Sequence, residues 1–297
     1  GMLFIADNKY QSPPPYGNRG IIALTEADIT RDTPLFLIDG WLLTDARVTQ
    51  LPTYIGQFGS LQRGNQTVSP HGAAIYEIIL RYDGAPVEAA LSFPQLFSRH
   101  SIRLDGIVLS EGIGGARISF SLTPGNHLLT VETASTHGYY SGMYHPPALG
   151  TPETVSHMML VQCVAYALAF FAPLTLALFT LTLWRSAKDR AAFWFGLLCC
   201  FFSLYVSYYF VHLFRLPVEE YWYIAQSAAL YGLCFCTIRL TALFGDVAGK
   251  RFALFLQWIG GLFPLVLLAL ALLIPAQAWA VRLHSAMTDL FYFFTFC

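Results

Sequence analysis

The sequence predicts an antiparallel β-sandwich joined directly to a helical membrane domain. Three observations predict it. Residues 154–184 run for 31 positions, from Glu153 to Arg185, without a charged side chain. About 20 apolar residues suffice for a helix to cross a bilayer. Before this stretch the chain is rich in short apolar runs broken by turn dipeptides, and after it come further apolar blocks separated by short charged loops. Composition agrees. Only 12% of the 297 residues are charged and mean hydropathy is +0.51, against about 25% charged in an average soluble domain.

The two parts differ in charge. Residues 1–153 hold nine Lys/Arg and thirteen Asp/Glu, and residues 154–297 hold eight and five. A mildly acidic outer part argues against a nucleic-acid partner. All six cysteines (Cys163, Cys199, Cys200, Cys234, Cys236 and Cys297) follow the boundary. The first part therefore has no disulfide, which suits a bacterial surface domain with a sufficient core. Cys234 and Cys236 fall in the middle of an apolar block with no further ligand nearby, so they read as structural.

Residues 1–20 read as a linker. The apolar Gly1-Met2-Leu3-Phe4-Ile5-Ala6 is too short for a signal peptide or a span. It is either an added start or the tail of an upstream signal or anchor helix. Ser12-Pro13-Pro14-Pro15 reads as extended polyproline.

The outer sandwich is expected over residues 21–150. Residues 35–38 form an apolar run closed by Asp39-Gly40. Residues 73–82 alternate, and the face made by Ala74, Tyr76, Ile78, Leu80 and Tyr82 is the more apolar and should be buried. Asp105-Gly106 lies between Ile102-Arg103-Leu104 and Ile107-Val108-Leu109, which predicts a tight hairpin with positive φ at both central residues. Residues 118–122 and 128–132, around Pro124-Gly125-Asn126, predict a second hairpin. Short strands with closely spaced turns argue for a sandwich or jelly roll. Nothing alternates with helices, so a parallel α/β domain is not expected.

The membrane domain is expected over residues 151–297, with spans near 155–184, 191–214, 221–244 and 252–274, and an incomplete one at 283–297. Pro173 and Pro264 are expected to kink their helices. The loop at residues 185–190 carries three basic residues and the loop at 245–251 carries two, while the alternate loops carry Arg215 and Arg282. The positive-inside rule then puts the first and third loops in the cytoplasm and the sandwich outside. Arg239 lies at a cytoplasmic end, where it can snorkel.

Candidate site residues are few. Trp41, Tyr76, Tyr139, Tyr140 and Tyr144 could stack on a sugar or another small ligand; core packing, or an interfacial belt for the last three, uses the same residue types. Asp289 is an acid inside an apolar stretch, roughly 10 Å from the outer interface by its seven-residue distance from Arg282. Intramembrane acids mark function, though His284 or a water-filled vestibule would also satisfy it. The outer histidines lack zinc-ligand spacing, so no metal is expected. There is no Gly-x-Ser-x-Gly, no phosphate loop and no supported acid pair, so neither a catalytic residue nor a cofactor is expected.

Taken with Asp39-Gly40-Trp41-Leu42-Leu43, Ser69-Pro70-His71-Gly72-Ala73-Ala74-Ile75-Tyr76, the hairpin at 101–109, Tyr139-Tyr140-Ser141-Gly142 and Pro146-Pro147-Ala148-Leu149-Gly150, the order of parts resembles the bacterial seven-transmembrane receptors with diverse intracellular signalling modules. The resemblance covers roughly residues 35–297. It implies a galactose-binding-like jelly roll outside, taking carbohydrate or another small ligand. It also implies seven helices, of which about five fall in this sequence, and a cytoplasmic output module on the same chain, a histidine kinase of a two-component system or a diguanylate cyclase. The expected partners are the lipid bilayer, an outer small-molecule or sugar ligand and that module, with a homodimer as one option. The expected location is the bacterial cell membrane, multi-pass. Two rival readings follow from the residues: a transporter or channel subunit with an accessory outer domain, and a membrane enzyme acting on lipid or cell-wall sugar.

Overall fold

The computed structural model describes residues 14–46, 48–55, 62–63, 66–67, 72–93, 96, 99–135, 143, 145–213, 219–245, 251 and 255. Among these, the first part is a β-sandwich. Its strands are β1 (Ile21–Thr25), β2 (Leu35–Phe36), β3 (Trp41–Asp45), β4 (Leu51–Thr53), β5 (Gln62–Arg63), β6 (Gln66–Thr67), β7 (Gly72–Asp83), β8 (Val87–Phe93), β9 (Arg99–Leu104), β10 (Ile107–Ile113), β11 (Ala116–Leu122), β12 (Gly125–Ser135) and β13 (Ala148–Gly150). A short helix, α1 (Glu26–Ile29), follows β1. The larger sheet runs β10-β9-β12-β7-β3-β4, with β1 also on β7. The smaller sheet runs β11-β8-β13-β2, and β5 and β6 pair with each other.

Alternation builds the core. Ala74, Tyr76, Ile78, Leu80 and Tyr82 of β7 are buried, as their parity predicts. Ile102, Leu104, Leu129 and Val131 extend this inner face, and Leu91, Phe93, Ile118, Phe120, Leu122 and Leu149 meet it from the smaller sheet. The Asp105-Gly106 hairpin forms as the dipeptide predicts, with φ of +52° and +82°. Leu104 faces Ile107, and the register shifts between Val108 and Ser110, which leaves Leu109 as a bulge.

Two expectations change. The second predicted hairpin does not form: β11 pairs with β8 in the smaller sheet, whereas β12 pairs with β7 and β9 in the larger one. Thr123-Pro124-Gly125 carries the chain from one layer to the other. Both strands alternate, so each satisfies a core face, but alternation does not say whether neighbours share a sheet. The second change is a parallel pair, β1 on β7. β3 covers Ala74 to Glu77 and β1 covers Ile79 to Asp83, so two short strands of opposite direction share one edge of a long one.

Among the described residues three helices follow: α2 (Pro152–Ala187), α3 (Arg190–Leu213) and α4 (Glu219–Phe244). Two helices among the described residues are long and apolar enough to cross a membrane, Pro152–Ala187 and Arg190–Phe210, and α4 carries a shorter apolar run, Ala228–Phe244. Pro173 lies inside α2. At 1.5 Å per residue α2 is about 54 Å long, well beyond the ~30 Å hydrocarbon core of a bilayer. The expected spans at 252–274 and 283–297 lie outside the described residues. The chain divides into two compact units, and the boundary falls inside α2, after Val164.

Within the sandwich unit the entry to α2 is built closely. β13 pairs with β8 on one side and β2 on the other, and its last residue, Gly150, is followed by a single residue before the helix. That residue, Thr151, is the N-cap: its Oγ1 accepts from the Thr154 amide at 3.1 Å and its carbonyl from the Val155 amide at 3.0 Å. Pro152 takes the first helical position, where its fixed φ fits and no amide is wasted. Arg117 of β11 donates to the Pro152 carbonyl at 3.2 Å and to the Ser156 hydroxyl. The Thr154 hydroxyl donates to the Arg31 carbonyl at 3.1 Å, and Val155 is fully buried.

In the helical unit, close approach replaces long side chains. A Cβ on Gly196 would meet Thr180 and Leu181 of α2 at 2.8 Å, and one on Gly232 would meet the Phe201 ring at 2.7 Å. Small residues at such contacts let neighbouring helices approach closely. Tyr166 stacks on Tyr209 with centroids 3.6 Å apart, and buried Ser203 donates to the Phe170 carbonyl at 3.0 Å.

Candidate functional site

The inner face of the larger sheet changes character in one row. The deeper row runs Leu43, Tyr76, Val131, Ile102, each opposite the next. The next row towards the end of the sandwich runs Asp45, Ala74, Thr133, His100 in the same register. Alternation keeps these residues on the core-facing side, so the lining passes from apolar to a carboxylate, a hydroxyl and an imidazole. His100 and Thr133 are buried. The Thr133 hydroxyl donates to the Ala74 carbonyl at 3.2 Å. Asp45 Oδ1 accepts from the Val48 amide at 2.8 Å, and the Asp45 amide donates to the Val48 carbonyl, also at 2.8 Å.

The Tyr76 hydroxyl is buried in the same end of the sandwich and accepts from the Met143 amide at 3.4 Å. Burial pushes its phenol well above the ordinary tyrosine range, the Met143 hydrogen bond opposes this, and the Asp45 charge adds to it. Met143 forms a β-bridge with Leu96, beyond the end of β8, and His145 next to it is buried. This end of the sandwich core therefore carries acceptors and donors of several kinds beside an apolar layer, the residue types that orient a small polar ligand. Among the described residues, no group of three or more His, Cys, Asp or Glu could hold a metal ion.

The expected aromatic site is distributed differently. Trp41 and Tyr76 are fully buried. The Trp41 indole donates from Nε1 to the Leu37 carbonyl at 2.9 Å. Both rings are committed to the core, and neither presents a face on which a sugar could stack. Tyr139, Tyr140, Tyr144 and Asp289 lie outside the described residues. Sequence reasoning missed Asp45, His100 and Thr133. The available signal was parity: His100 shares its face with Ile102 and Leu104, and Thr133 with Val131 and Leu129.

At the other end of the sandwich Asp105 and His127 make a second polar group. His127 Nδ1 lies 2.7 Å from Asp105 Oδ2 and its Nε2 lies 2.8 Å from the Thr123 carbonyl, while Asp105 Oδ1 accepts from the Leu128 amide at 2.8 Å. An imidazole between two acceptors is best satisfied when both nitrogens carry protons. Burial alone would lower its pKa, but the Asp105 and Thr123 hydrogen bonds and the Asp105 charge outweigh it, so the net shift is upward. A raised folded-state pKa gives stability that is fully present below the ordinary histidine value of about 6.5 and is lost as pH rises through the folded value. The urea midpoint of the sandwich should therefore fall across that window on going from acid to alkaline pH, and His127→Gln should remove this dependence. A midpoint flat in pH would show that the group ties nothing.

No known family model matches the chain, and no characterised protein matches it by sequence. Solved structures do match over part of it. A β-galacturonidase from Eisenbergiella tayi bound to glycerol is 18% identical over 37% of this chain and 22% of its own, with a TM-score of 0.30. A Faecalibacterium prausnitzii β-glucuronidase is 15% identical over 40% and 32%, with a TM-score of 0.30. A β-D-glucuronidase from Dictyoglomus thermophilum is 12% identical over 39% and 27%, with a TM-score of 0.29. The matched part thus spans between about a fifth and a third of the length of these enzymes.

Proposed function

We propose that this chain is the sensing and membrane part of a bacterial signal-transduction receptor of the seven-transmembrane type. In this reading the sandwich is a galactose-binding-like jelly roll outside the cell membrane. It takes a small polar ligand, carbohydrate in the first instance, at the end of the sandwich that carries the polar row Asp45, Thr133 and His100. The helices cross the bilayer several times and carry the signal to a cytoplasmic module, a histidine kinase in the first instance.

The observation that carries the reading is the junction. A strand held between two neighbours runs into α2 through one capping residue, and Arg117 and Arg31 clasp the first turn. A ligand shifts a two-state equilibrium only through different affinities for the two states. A stiff connection lets a change in the sandwich reach the helix, where a flexible linker would absorb it. An apolar α2 supports a bilayer as its surroundings: Leu160, Leu168, Phe171, Leu178 and Phe179 are all exposed.

The test uses the full chain in nanodiscs. Sugars, amino acids and short peptides are screened for a concentration-dependent rise in melting temperature. With a ligand in hand, a fluorophore on Cys163, in α2, should report binding once the other cysteines are replaced. A Gly/Ser insert after Gly150 should leave the thermal shift intact and silence the label. An insert that left the label's response unchanged would refute coupling through the junction, and a screen without any shift would refute ligand sensing.

A further inference from the structure

At one end of the helical unit, rings and cations collect. Trp184 near the end of α2 packs on Phe193 of α3 with centroids 4.8 Å apart, Phe193 meets Trp194 at 5.2 Å, and Trp194 meets Phe235 of α4 at 5.5 Å. A continuous aromatic layer thus ties the three helices together. The Arg239 guanidinium lies over the Trp194 ring at 4.9 Å, and the Lys188 ammonium lies 6.0 Å from the Trp184 centroid. Arg185 and Arg190 flank the turn, and both are exposed, as is Lys188. The segment's one carboxylate, Asp189, is engaged in capping α3: its Oδ1 accepts from the Ala191 amide at 2.9 Å. Among the described residues, Arg185, Lys188 and Arg190 have no ion-pair partner.

The depths of these groups are ordered. Arg190 opens α3, and Trp194 lies one turn further in, about 6 Å along the axis. Arg239 stands over that ring, so one cation lies a turn below three others. Tryptophan prefers the headgroup level of a bilayer. Three exposed cations would then lie at the phosphates, with a fourth held just beneath them on an aromatic floor. We propose that this end of the helical unit is a binding site for an anionic phospholipid headgroup. Arg185, Lys188 and Arg190 attract the headgroup from the surface, and Arg239 meets its phosphate at the level of the indole. The inference rests on the membrane reading above. It adds a specific lipid class and a place, and it is independent of any ligand of the sandwich.

The experiment uses the full chain in nanodiscs containing brominated phosphatidylcholine or brominated phosphatidylglycerol. With the four other tryptophans replaced by phenylalanine, Trp184 and Trp194 report from the site, and quenching of their fluorescence gives the relative affinity for the two lipids. The expected result is a clear preference for the anionic lipid, falling by about fivefold for each basic side chain removed in the series Arg185→Gln, Lys188→Gln, Arg190→Gln and Arg239→Gln. The lysine variants R185K and R190K should keep the preference, which guards against a loss caused by misfolding. Equal quenching by both lipids in the chain with its basic residues intact would overturn the site while leaving the membrane reading standing. Quenching by neither would overturn both. Inorganic phosphate that abolishes the preference, where chloride at the same ionic strength does not, would mean that the site takes free phosphate and would overturn the lipid assignment.

Discussion

Truncating Trp41 to alanine should destabilise the sandwich by about 3–5 kcal/mol, the usual range for a buried large aromatic. Such a loss is a large share of the ~5–15 kcal/mol that holds a typical domain together. Trp41 is fully buried, and its indole hydrogen bond to the Leu37 carbonyl is internal. The alanine leaves a cavity and an unsatisfied carbonyl together. The Leu37 amide in turn donates to the Pro147 carbonyl at 2.9 Å, just before β13. Trp41 is therefore one of the supports of the strand that enters α2. Trp41→Phe separates the two contributions, because it keeps most of the ring and loses only the N–H donor; it should cost about 1–3 kcal/mol. The measurement is the denaturant midpoint of the full chain in micelles, followed by near-ultraviolet circular dichroism. The opposite pattern, an unchanged midpoint with a weakened ligand-induced thermal shift, would restore Trp41 as a ligand-stacking ring.

The parts of the fold legible in the sequence are those with a local cause. The buried face of β7 follows from period-two alternation, and the β9–β10 hairpin follows from the φ preferences of Asp-Gly. The layer change between β11 and β12 has no local cause, since Pro124-Gly125 would serve a hairpin equally well. It is decided by which neighbours fill the other edge of each strand: β12 finds β7 and β9, and β11 finds β8. The same distinction separates the site residues. Trp41 and Tyr76 stand out by residue type, yet a large ring on the apolar face of a strand is what a core needs. Asp45, His100 and Thr133 look ordinary in sequence, and only the register aligns them into one polar row. The capping of α2 was within reach of sequence reasoning, because a threonine before a proline at the head of an apolar run is a helix-start signal. Its clasp by Arg117 and Arg31 was not, because those contacts join residues far apart in the chain.

Replacing Gly40 with alanine should cost more than the same change at Gly106, although both glycines have nearly the same positive φ. Their φ angles are +86° and +82°, a region that L-residues enter at a cost of about 1–2 kcal/mol. At Gly106 an added Cβ meets nothing within 4 Å, so only that conformational cost applies. At Gly40 it would lie 2.6 Å from the Cα and carbonyl carbon of Gly17, and a Cβ on Gly17 would lie 2.3 Å from the Asp39 carbonyl oxygen. Both clashes are with backbone, so no rotamer change relieves them. The Gly20 amide donates to the Gly40 carbonyl at 2.7 Å in the same crossing. Two segments therefore pass with their backbones in contact just before β1 and β3, the strands that share one edge of β7. Separating them should pull one or both strands out of register, and interiors packed at crystal-like density absorb little of that strain. Gly106→Ala should cost about 1–2 kcal/mol. Gly40→Ala should exceed it by at least about 2 kcal/mol, in the range of severe overpacking, and Gly40→Val should prevent the sandwich from folding. Denaturant midpoints of the three variants decide the matter, with exchange protection of the β1 and β3 amides as the local readout. Equal midpoints for the two alanine variants would mean that the crossing yields easily and that the contact at Gly17 is not what sets the two strands in line.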